Sequence, residues 1–544
     1  RYHTSKTLDD VYAAIAAVFE RQDIIRIRQE ERASVVHNAL SRQRTLIIVD
    51  NLETIDDELV INFLRELPAP TKAIVTTRHR LDVAYPVRVK AMPVDDSIKL
   101  ISQECEKKRV ELKAEEASHL YKRTGGVPLA IVWSIGQINF GYSTKTVLTR
   151  LGHPNNDIIK FCFEESLTHI KDKPAYKILQ SLSFFATDAS RTALGYIASL
   201  PELDVDDGLV DLEKLSLITR NQSARFEISP LTTQLAISKL DAQTTKFFEK
   251  QYVSYYQRLA NEVTNSNYWG AVRNYQDLKA ISKEMSNITR AIELSVDLAS
   301  WRAIIDLCYV SVHYYAFSGE LASRLFVVEK AIKAAEEIND NEALSWLLVD
   351  ALGWIYLSQG DIPSSKHNVL RGKRLAERAN NLNCISLANG YLARIEAGEE
   401  NFERANKLIQ TAIDLTTSPF IVARIHLIGG YIASKNNNYQ KAIYHYEEVL
   451  KVTPTTNDIF EELQARISLG YSHLYSKNHN ASEQAFLTAL ERSIFEDLII
   501  RVAESKRGLA ALYSEIGEEE KSQQFMEEAN AIFDTLDVYV EVGF

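Results

Sequence analysis

Three stretches of the chain carry residue types that could meet a charged ligand. Asp50 follows the apolar run Thr45–Val49, and Arg78 follows a second apolar run. The carboxyl end of a parallel strand is where open α/β sheets place ligands. The third stretch is the turn Gly125–Ala130, in which Pro128 follows two glycines and a valine. An isolated acid after an apolar run is also common as an ordinary turn residue, and Asp50 alone would favour that simpler interpretation.

The elements that must position these residues follow from the apolar periodicity. A capping box at Thr7 and Asp10 opens a first helix, and a charged second helical stretch follows it. The next elements are a strand ending at Asp50, a third helix with Leu59, Val60, Phe63 and Leu64, a strand ending at Arg78, and a last strand at Val87–Val89. The alternation predicts a parallel sheet, with the glycine–proline turn inside a later helical stretch from Ser97 to Ile138.

Asp50, Arg78 and the turn, in this order, resemble the NB-ARC family of STAND signalling ATPases. The resemblance implies that Asp50 is the Walker B carboxylate that holds magnesium and that Arg78 is the sensor facing the γ-phosphate. It implies that the turn residues Gly126 and Pro128 contact the nucleotide, with Pro128 packed on adenine. A carboxylate suits a hard cation, and a guanidinium suits a terminal phosphate. The implied cofactor is ADP or ATP with magnesium.

The resemblance continues past residue 150. Phe161–Leu167 and Ile178–Phe185 look like the winged-helix region of the family, and Phe226–Leu231 aligns with its methionine-histidine-aspartate motif. Ser229 stands where the family has a histidine that contacts the ADP β-phosphate, and Pro230 replaces the aspartate. A serine hydroxyl can donate a hydrogen bond but cannot carry the charge of an imidazole. Ser229 is therefore a candidate cofactor-binding residue, and the strength of the ADP-bound state stays open.

The phosphate-binding motif G-x-x-x-x-G-K-[ST] does not occur in the sequence. Gly136–Gly141 has the glycine spacing, but Tyr142 follows it and the segment lies after Pro128, so we interpret it as a chance match. In the family this motif and its strand come before the Walker B strand. We therefore expect a fragment that begins at Arg1 without a central strand, and a gap or a repair between the second and third predicted strands.

Besides the phosphate-binding motif, the sequence lacks an acid at the usual position of the residue that orients the attacking water. Asn51 follows Asp50, at a position where an acid often orients the attacking water, and Glu53 is the nearest substitute. The resemblance therefore makes Asp50, Glu53 and Arg78 the candidate catalytic residues. We expect at most slow turnover in the intact protein and little or none in this chain.

Composition limits the remaining classes of function. The 544 residues exceed one hydrophobic core, and 46% hydrophobic with 25% charged residues is typical of a folded protein. A net charge of −11 disfavours a general nucleic-acid-binding surface. Four widely spaced cysteines give no zinc or disulfide pattern, and no apolar run is long enough to span a bilayer. We expect a cytoplasmic protein.

The C-terminal half contains a repeat. Small or β-branched residues recur in steps of about 40, each is followed 19 residues later by another compact residue, and an apolar residue stands three positions before the latter. The first set is Val312, Gly353, Ala393, Gly430, Gly470 and Ala510, the second is Ala331, Gly372, Ala412, Val449, Ala489 and Ala529, and the apolar set is Val328, Val369, Ile409, Tyr446, Phe486 and Met526. Small residues let two helices approach closely. The pattern resembles tetratricopeptide repeats, whose stacked hairpins present a concave face to a peptide or protein ligand.

The predicted fold is mainly α with an N-terminal α/β part: a truncated P-loop-type parallel sheet, helical and winged-helix subdomains, and an α-solenoid of tetratricopeptide-like hairpins. The predicted domains are the nucleotide-binding part at 1–92, the helical subdomain at 93–150, the winged-helix subdomain at 151–240, a helical linker at 241–300 and the repeats at 301–544.

Three functions remain in competition. In the first, ADP holds a closed monomer, a ligand on the repeats weakens that state, and ATP favours self-association that controls an upstream effector. The second is a passive repeat scaffold beside a degenerate ATPase remnant. The third is a transcription regulator, which the acidic face around Asp207–Leu215 disfavours for this chain, although a DNA-binding domain could lie upstream.

Overall fold

The computed structural model describes residues 8–19, 29–50, 52, 58–77, 85, 87, 89–151, 158–264, 275–318 and 321–536. The chain divides into two compact units. The middle unit contains residues 1–2, 80–259 and 286–298, and the repeat unit contains residues 3–79, 260–285 and 299–544. Arg78, Glu53 and Asn51 lie outside the described residues.

The N-terminal part of the repeat unit is a small α/β layer. Its elements are helices Leu8–Val18, Gln29–Arg42 and Glu58–Arg65 and strands β1 (Leu46–Val49) and β2 (Lys72–Val75). The strands pair in parallel, with Val49 opposite Val75. The helices pack on one face of this pair around Tyr12 and Leu40, whereas Ile48 on the other face is 67% exposed. The predicted parallel sheet with a helical cover is therefore present in a two-stranded form.

The prediction of a third strand at Val87–Val89 is wrong at its two described residues, Val87 and Val89. Val87 and Val89 lie outside any strand and are 79% and 95% exposed, and Arg88 lies outside the described residues. These valines bury no side chain, so the apolar alternation that predicted a strand does not reflect packing here. Among the described residues no strand pairs with the free edge of β2, and the gap expected between the second and third predicted strands is not tested.

The middle unit is mostly helical. Its helices are Val94–Lys108, Ala114–Thr124, Pro128–Phe140, Thr144–Arg150, Ile158–Thr168, Pro174–Leu182, Arg191–Ala198, Glu202–Lys214, Pro230–Ile237, Ala242–Val263 (through residue 259) and Met285–Asp297 (from residue 286), with an antiparallel hairpin of β3 (Thr219–Arg220) and β4 (Phe226–Glu227). Gly136 lies inside a helix, where an added Cβ would come within 2.4 Å of the Leu215 carbonyl oxygen. The Gly136–Gly141 segment is therefore a packing feature and not a phosphate loop.

The segment predicted as a helical linker contains helices in both units. Within the middle unit, the buried Asn287 accepts hydrogen bonds from the backbone amides of Ala186 (3.0 Å) and Thr187 (3.3 Å), and its side-chain amide donates to the Asp188 carbonyl at 3.1 Å. A buried amide with these partners fixes the geometry of the chain around it, because leaving any partner unpaired would cost free energy. Helix Tyr275–Ile281 and a 3₁₀ turn at Ser282–Glu284 belong to the repeat unit.

The repeat arm, residues 301–536, consists of six helical hairpins. Their first helices are Trp301–Ser318, Asn341–Ser358, Leu382–Gly398, Pro419–Lys435, Ile459–Tyr475 and Ile499–Glu515, and their second helices are Leu321–Glu337, Ile362–Arg378, Phe402–Leu415, Tyr439–Thr456, His479–Phe495 and Glu519–Leu536. The first helix of repeat 2 is α-helical at Asn341–Trp346 and Trp354–Ser358 and π-helical at Leu347–Gly353. We number the hairpins repeats 1 to 6.

The repeat register found in the sequence is confirmed by the packing inside the hairpins. An added Cβ on Gly430 would lie 2.4 Å from Tyr446, and one on Gly470 would lie 2.6 Å from Phe486. The predicted apolar residue of the second helix therefore fills the space that the small residue of the first helix leaves. Met526 is the one member of the apolar set that is only partly buried.

No helix among the described residues combines the length and the apolar character needed to cross a bilayer. The four cysteines are buried with free thiols.

Candidate functional site

The carboxyl edge of the two-stranded sheet brings Asp50 next to Thr76. Asp50 follows β1 and Thr76 follows β2, and the backbone amide of Thr76 donates to the Val49 carbonyl at 2.9 Å. The Thr76 hydroxyl donates to one carboxylate oxygen of Asp50, and the Asp50 side chain is exposed. One oriented carboxylate fits Mg²⁺ in part, because this ion usually keeps several waters and takes its other ligands from substrate phosphates.

The other two residues predicted to act at this edge cannot be placed. Glu53 and Arg78 lie outside the described residues, so their catalytic roles stay predictions. Leu52 is described and buried, and its backbone amide donates to the Thr76 carbonyl at 3.0 Å. This hydrogen bond ties Leu52, two residues after Asp50, to the residue that follows β2.

The glycine–proline turn lies in the middle unit, between helices Ala114–Thr124 and Pro128–Phe140. Gly126 has a φ of +71°, and an added Cβ would lie 2.5 Å from the Met92 carbonyl oxygen, so only glycine fits. The Gly126 carbonyl accepts a hydrogen bond from the Met92 amide at 2.9 Å. Pro128 begins the second helix and its ring is exposed. An exposed, rigid ring at a fixed helix start is compatible with packing against a flat base.

Ser229 has a local structural role. It is the N-cap of helix Pro230–Ile237, where its hydroxyl oxygen accepts a hydrogen bond from the Thr232 amide at 3.1 Å and lies 2.6 Å from the Thr232 hydroxyl. Pro230 takes the first helical position, which suits a residue without an amide hydrogen. The predicted cofactor contact by Ser229 would therefore have to share a hydroxyl that already caps a helix.

A polar cluster that the sequence did not suggest lies within the repeat arm. Arg424 of repeat 4 forms ion pairs with Asp350 of repeat 2 and with Glu461 of repeat 5, the latter at 3.0 Å. The Tyr391 hydroxyl of repeat 3 donates to the Asp350 carboxylate at 2.8 Å. The side chain of Asp350 is 6% exposed and that of Glu461 is 16% exposed. The guanidinium of repeat 4 thus connects a carboxylate of repeat 2 with one of repeat 5.

Burial dominates the electrostatics of this cluster. It raises the pKa of Glu461 to about 7, although Arg424 acts in the opposite direction. It raises the pKa of Tyr391 far above its usual value, and Asp350 adds to this effect. Burial also lowers the pKa of His313 to about 3, with Arg424 as the next cause. His313 is therefore neutral at ordinary pH, and Glu461 titrates near neutrality.

An aromatic and cationic row adjoins the cluster. Trp354, Arg394 and Tyr431 stand one position after the small residue in the first helices of repeats 2, 3 and 4. The Arg394 guanidinium lies 5.2 Å from the centre of the Trp354 ring and 4.3 Å from that of Tyr431. We call this side of the repeat arm, with Asp350, Trp354, Arg394, Arg424 and Tyr431, the first-helix face.

A usable sequence signal for the first-helix face existed. Asp350 and Arg424 are charged residues inside otherwise apolar first helices, at three and six positions before the small residue of their repeats. Charged side chains at such positions are rarely buried unless they are paired. The two are 74 residues apart, so their pairing is invisible without the stacked repeats. The structure adds a second indication of a functional site. Asp350 lies in a π-helical segment, and such widened turns are frequent at functional sites.

Comparison with solved structures identifies similar folds. The chain resembles a Signal Transduction ATPase with Numerous Domains (STAND) protein with a tetratricopeptide repeat sensor from Pyrococcus horikoshii, with 15% identity, a TM-score of 0.57, and coverage of 97% of this chain and 74% of that chain. Aspartyl phosphate phosphatase F from Bacillus subtilis matches at 11% identity and a TM-score of 0.38, covering 82% of this chain and 96% of that chain. No family model matches the chain, and no curated protein matches it. The first similarity shows that the chain has the fold of a STAND protein with a tetratricopeptide repeat sensor.

Proposed function

We propose that the chain is the switch-and-sensor part of a STAND-type signalling protein, in which the repeat arm binds a peptide or protein segment. The observation that carries this proposal is the first-helix face, where aromatic rings and a buried ion-pair cluster occupy positions that a purely structural stack would fill with apolar residues. Stacked hairpins of this class form concave surfaces suited to extended ligands. The similarity in fold to a STAND protein with a repeat sensor supports the same proposal.

Binding at the first-helix face would bias a switch only if the two states of the switch differ in affinity for the ligand. Arg424 supplies a physical route within the arm, because it pairs with carboxylates of repeats 2 and 5 at once. A ligand that changed these pairings would change how the repeats stack. We propose that ADP and ATP define the two states, with Asp50 as the magnesium ligand. The turn at Gly126 and Pro128 is kept as a separate candidate for contact with the base within the middle unit.

Several features of the chain support the nucleotide part of the proposal. Asp50 is exposed at the carboxyl edge of a parallel strand pair and oriented by Thr76. The middle unit has three helices, Pro174–Leu182, Arg191–Ala198 and Glu202–Lys214, followed by the β3–β4 hairpin, as a winged-helix subdomain would. Activation by self-association and control of an upstream effector complete the proposed cycle.

The nucleotide part is tested by titrating ADP with Mg²⁺ into this chain and into a version extended by its natural upstream residues. We expect the extended version to bind ADP in a magnesium-dependent manner, and we expect Asp50→Asn to weaken this binding about 10-fold or more, since it removes a charged metal ligand. Glu66→Gln, a change of an exposed acid in the same α/β layer, serves as the matched control. Equal ADP binding by Asp50→Asn and Glu66→Gln, or none by the extended version, would favour a passive repeat scaffold.

A further inference from the structure

Two partly buried arginines of the repeat arm, Arg324 and Arg394, bear on what the arm could bind. Arg324, near the start of the second helix of repeat 1, has a buried Nε atom without a hydrogen-bond acceptor. Within the described part of the chain, neither Arg324 nor Arg394 forms an ion pair. A buried donor without an acceptor is destabilising. Arg324, through its unpaired Nε atom, and Arg394, which forms no ion pair among the described residues, are therefore candidates for partners that come from another molecule.

The nearby carboxylates are already engaged. Asp350 accepts from Tyr391 and pairs with Arg424, which also pairs with Glu461. Asp458 caps its own helix by accepting from the backbone amides of Phe460 and Glu461. None of these acids is left to neutralise Arg394. The charge that this face lacks is negative.

The surroundings of Arg394 define what could carry that charge. The rings of Trp354 and Tyr431 cover the guanidinium by cation–π contacts, which leave its in-plane N–H groups available. Such a fork of donors matches the two oxygens of a carboxylate. The rings themselves offer apolar surface on either side of the charge, because both are only partly buried.

The distances within the face set the register of a ligand. The Arg394 guanidinium lies 5.2 Å from the centre of the Trp354 ring and 4.3 Å from that of Tyr431. An extended chain rises about 3.3 Å per residue. Side chains one or two residues before and after an acid that meets Arg394 would therefore reach the two rings.

We propose that the first-helix face of repeats 2 to 4 binds an extended peptide segment through one acidic side chain that pairs with Arg394, with apolar side chains one or two residues away on each side. Arg324 adds a buried Nε donor without an acceptor in the same arm. The proposal rests on the proposed sensing function and specifies its ligand. An acidic side chain within the segment, and not a free C-terminus, is the group that this arrangement accommodates, because aromatic contacts lie on both sides of the cation.

The test begins with selection of binders from a library of random 12-residue peptides by the purified full chain. We expect the selected peptides to share one Asp or Glu flanked by apolar residues. For a selected peptide, replacing the acid by its amide, or changing Arg394→Gln in the protein, should weaken binding about 10-fold or more, the range expected for a charge-assisted hydrogen bond. Amidating the peptide C-terminus should leave its affinity unchanged.

Two further variants keep the test decisive. Arg394→Lys retains the charge but loses the planar fork, so it should bind with intermediate affinity, and circular dichroism checks that both variants are folded. Arg374→Gln makes the same change at an exposed position on a second helix and should bind as the unchanged chain does.

Different negative results bear on the acidic ligand and on the sensing function. This inference is overturned, and the sensing function left intact, by either of two results. In the first, the selected peptides share no acid; in the second, they bind the Arg394→Gln variant as tightly as the unchanged chain. Dependence on a free C-terminal carboxylate would also overturn it. A library without any binder would count against both proposals.

Discussion

At the scale of single residues, one partly buried guanidinium connects distant parts of the repeat arm. Arg424 connects Asp350 and Glu461, and removing one partner of a buried ion pair leaves an uncompensated charge. Asp50 at the strand edge is, by contrast, exposed and held by a single hydroxyl. The first arrangement bears on the stability of the arm, whereas the second leaves a carboxylate available to a cation.

Replacing Arg424 by glutamine should therefore destabilise the repeat arm by about 3 kcal/mol, because Asp350 and Glu461 lose their shared cation inside the protein. Arg404→Gln removes an ion pair with Glu396 in which the arginine is 72% exposed, and it should cost less than about 1 kcal/mol. Urea unfolding followed by circular dichroism measures both. Equal losses for the two variants would show that the cluster does not stabilise the arm.

Glu461 should make the stability of the arm depend on pH. Its folded-state pKa of about 7 exceeds the ordinary value of 4.5, so between these values the folded protein holds a proton that the unfolded chain has lost. Stability therefore falls as pH rises through this window, by up to about 3.5 kcal/mol in total at about 1.4 kcal/mol per pKa unit. Glu461→Gln should remove this part of the pH dependence.

The measurement is the unfolding midpoint of each variant at pH 5, 6, 7 and 8. Glu337→Gln, a change of an exposed acid on the second helix of repeat 1, is the control for Glu461→Gln. The control should keep the pH dependence of the unchanged chain. If Glu461→Gln keeps it as well, the carboxyl group is ionised in the folded arm throughout this pH range.

At the scale of elements, the hairpins could be predicted because close helix packing restricts residue size. Tyr446 approaches Gly430 so closely that no Cβ fits, and Phe486 does the same at Gly470 and Gly508. This requirement leaves a trace in the sequence at every repeat. The turn after the first helix left a weaker trace in the sequence. In repeats 2 to 6 a residue with left-handed backbone conformation stands seven positions after the small residue. It is a glycine in two of them and another residue type in three: Gly360, Gly517, Glu400, Asn437 and Lys477.

Gly430→Ala should consequently destabilise the arm by about 1 to 3 kcal/mol, since the added methyl group overlaps the Tyr446 ring. Gly398→Ala is the matched control, because nothing lies within 4 Å of the added group and alanine favours helix. We expect the control to be neutral or more stable by up to about 1 kcal/mol. Thermal unfolding distinguishes the two variants. If Gly430→Ala does not lower the unfolding midpoint, the Tyr446 ring has room to move away from position 430.

At the scale of the whole molecule, sequence patterns identified the class of fold, and the similarity to a STAND protein with a repeat sensor agrees with them. The α/β layer was predicted less completely. Its two strands follow from apolar runs that end at Asp50 and Arg78, but the run Val87–Val89 has the same apolar character and forms no strand in its described residues. Local pattern cannot distinguish these cases, because pairing depends on neighbours that are distant in sequence.

The first-helix face escaped sequence reasoning for a related reason. Its charges are separated by one or two whole repeats, and only stacking brings Arg424 to Asp350 and Glu461. By contrast, the positions of Gly126 and Pro128 in a helix-connecting turn agree with what the short motif suggested. Motifs that are local in sequence were predictable here, and sites assembled across repeats were not.

Under the proposed function, the repeat arm senses a peptide through its first helices. Amide hydrogen exchange, measured on the full chain with and without a selected peptide, examines this directly. We expect slower exchange in the first helices Leu382–Gly398 and Pro419–Lys435, with little change in the second helices Phe402–Leu415 and Tyr439–Thr456. Protection confined to the second helices, or no protection in the arm at peptide saturation, would contradict it.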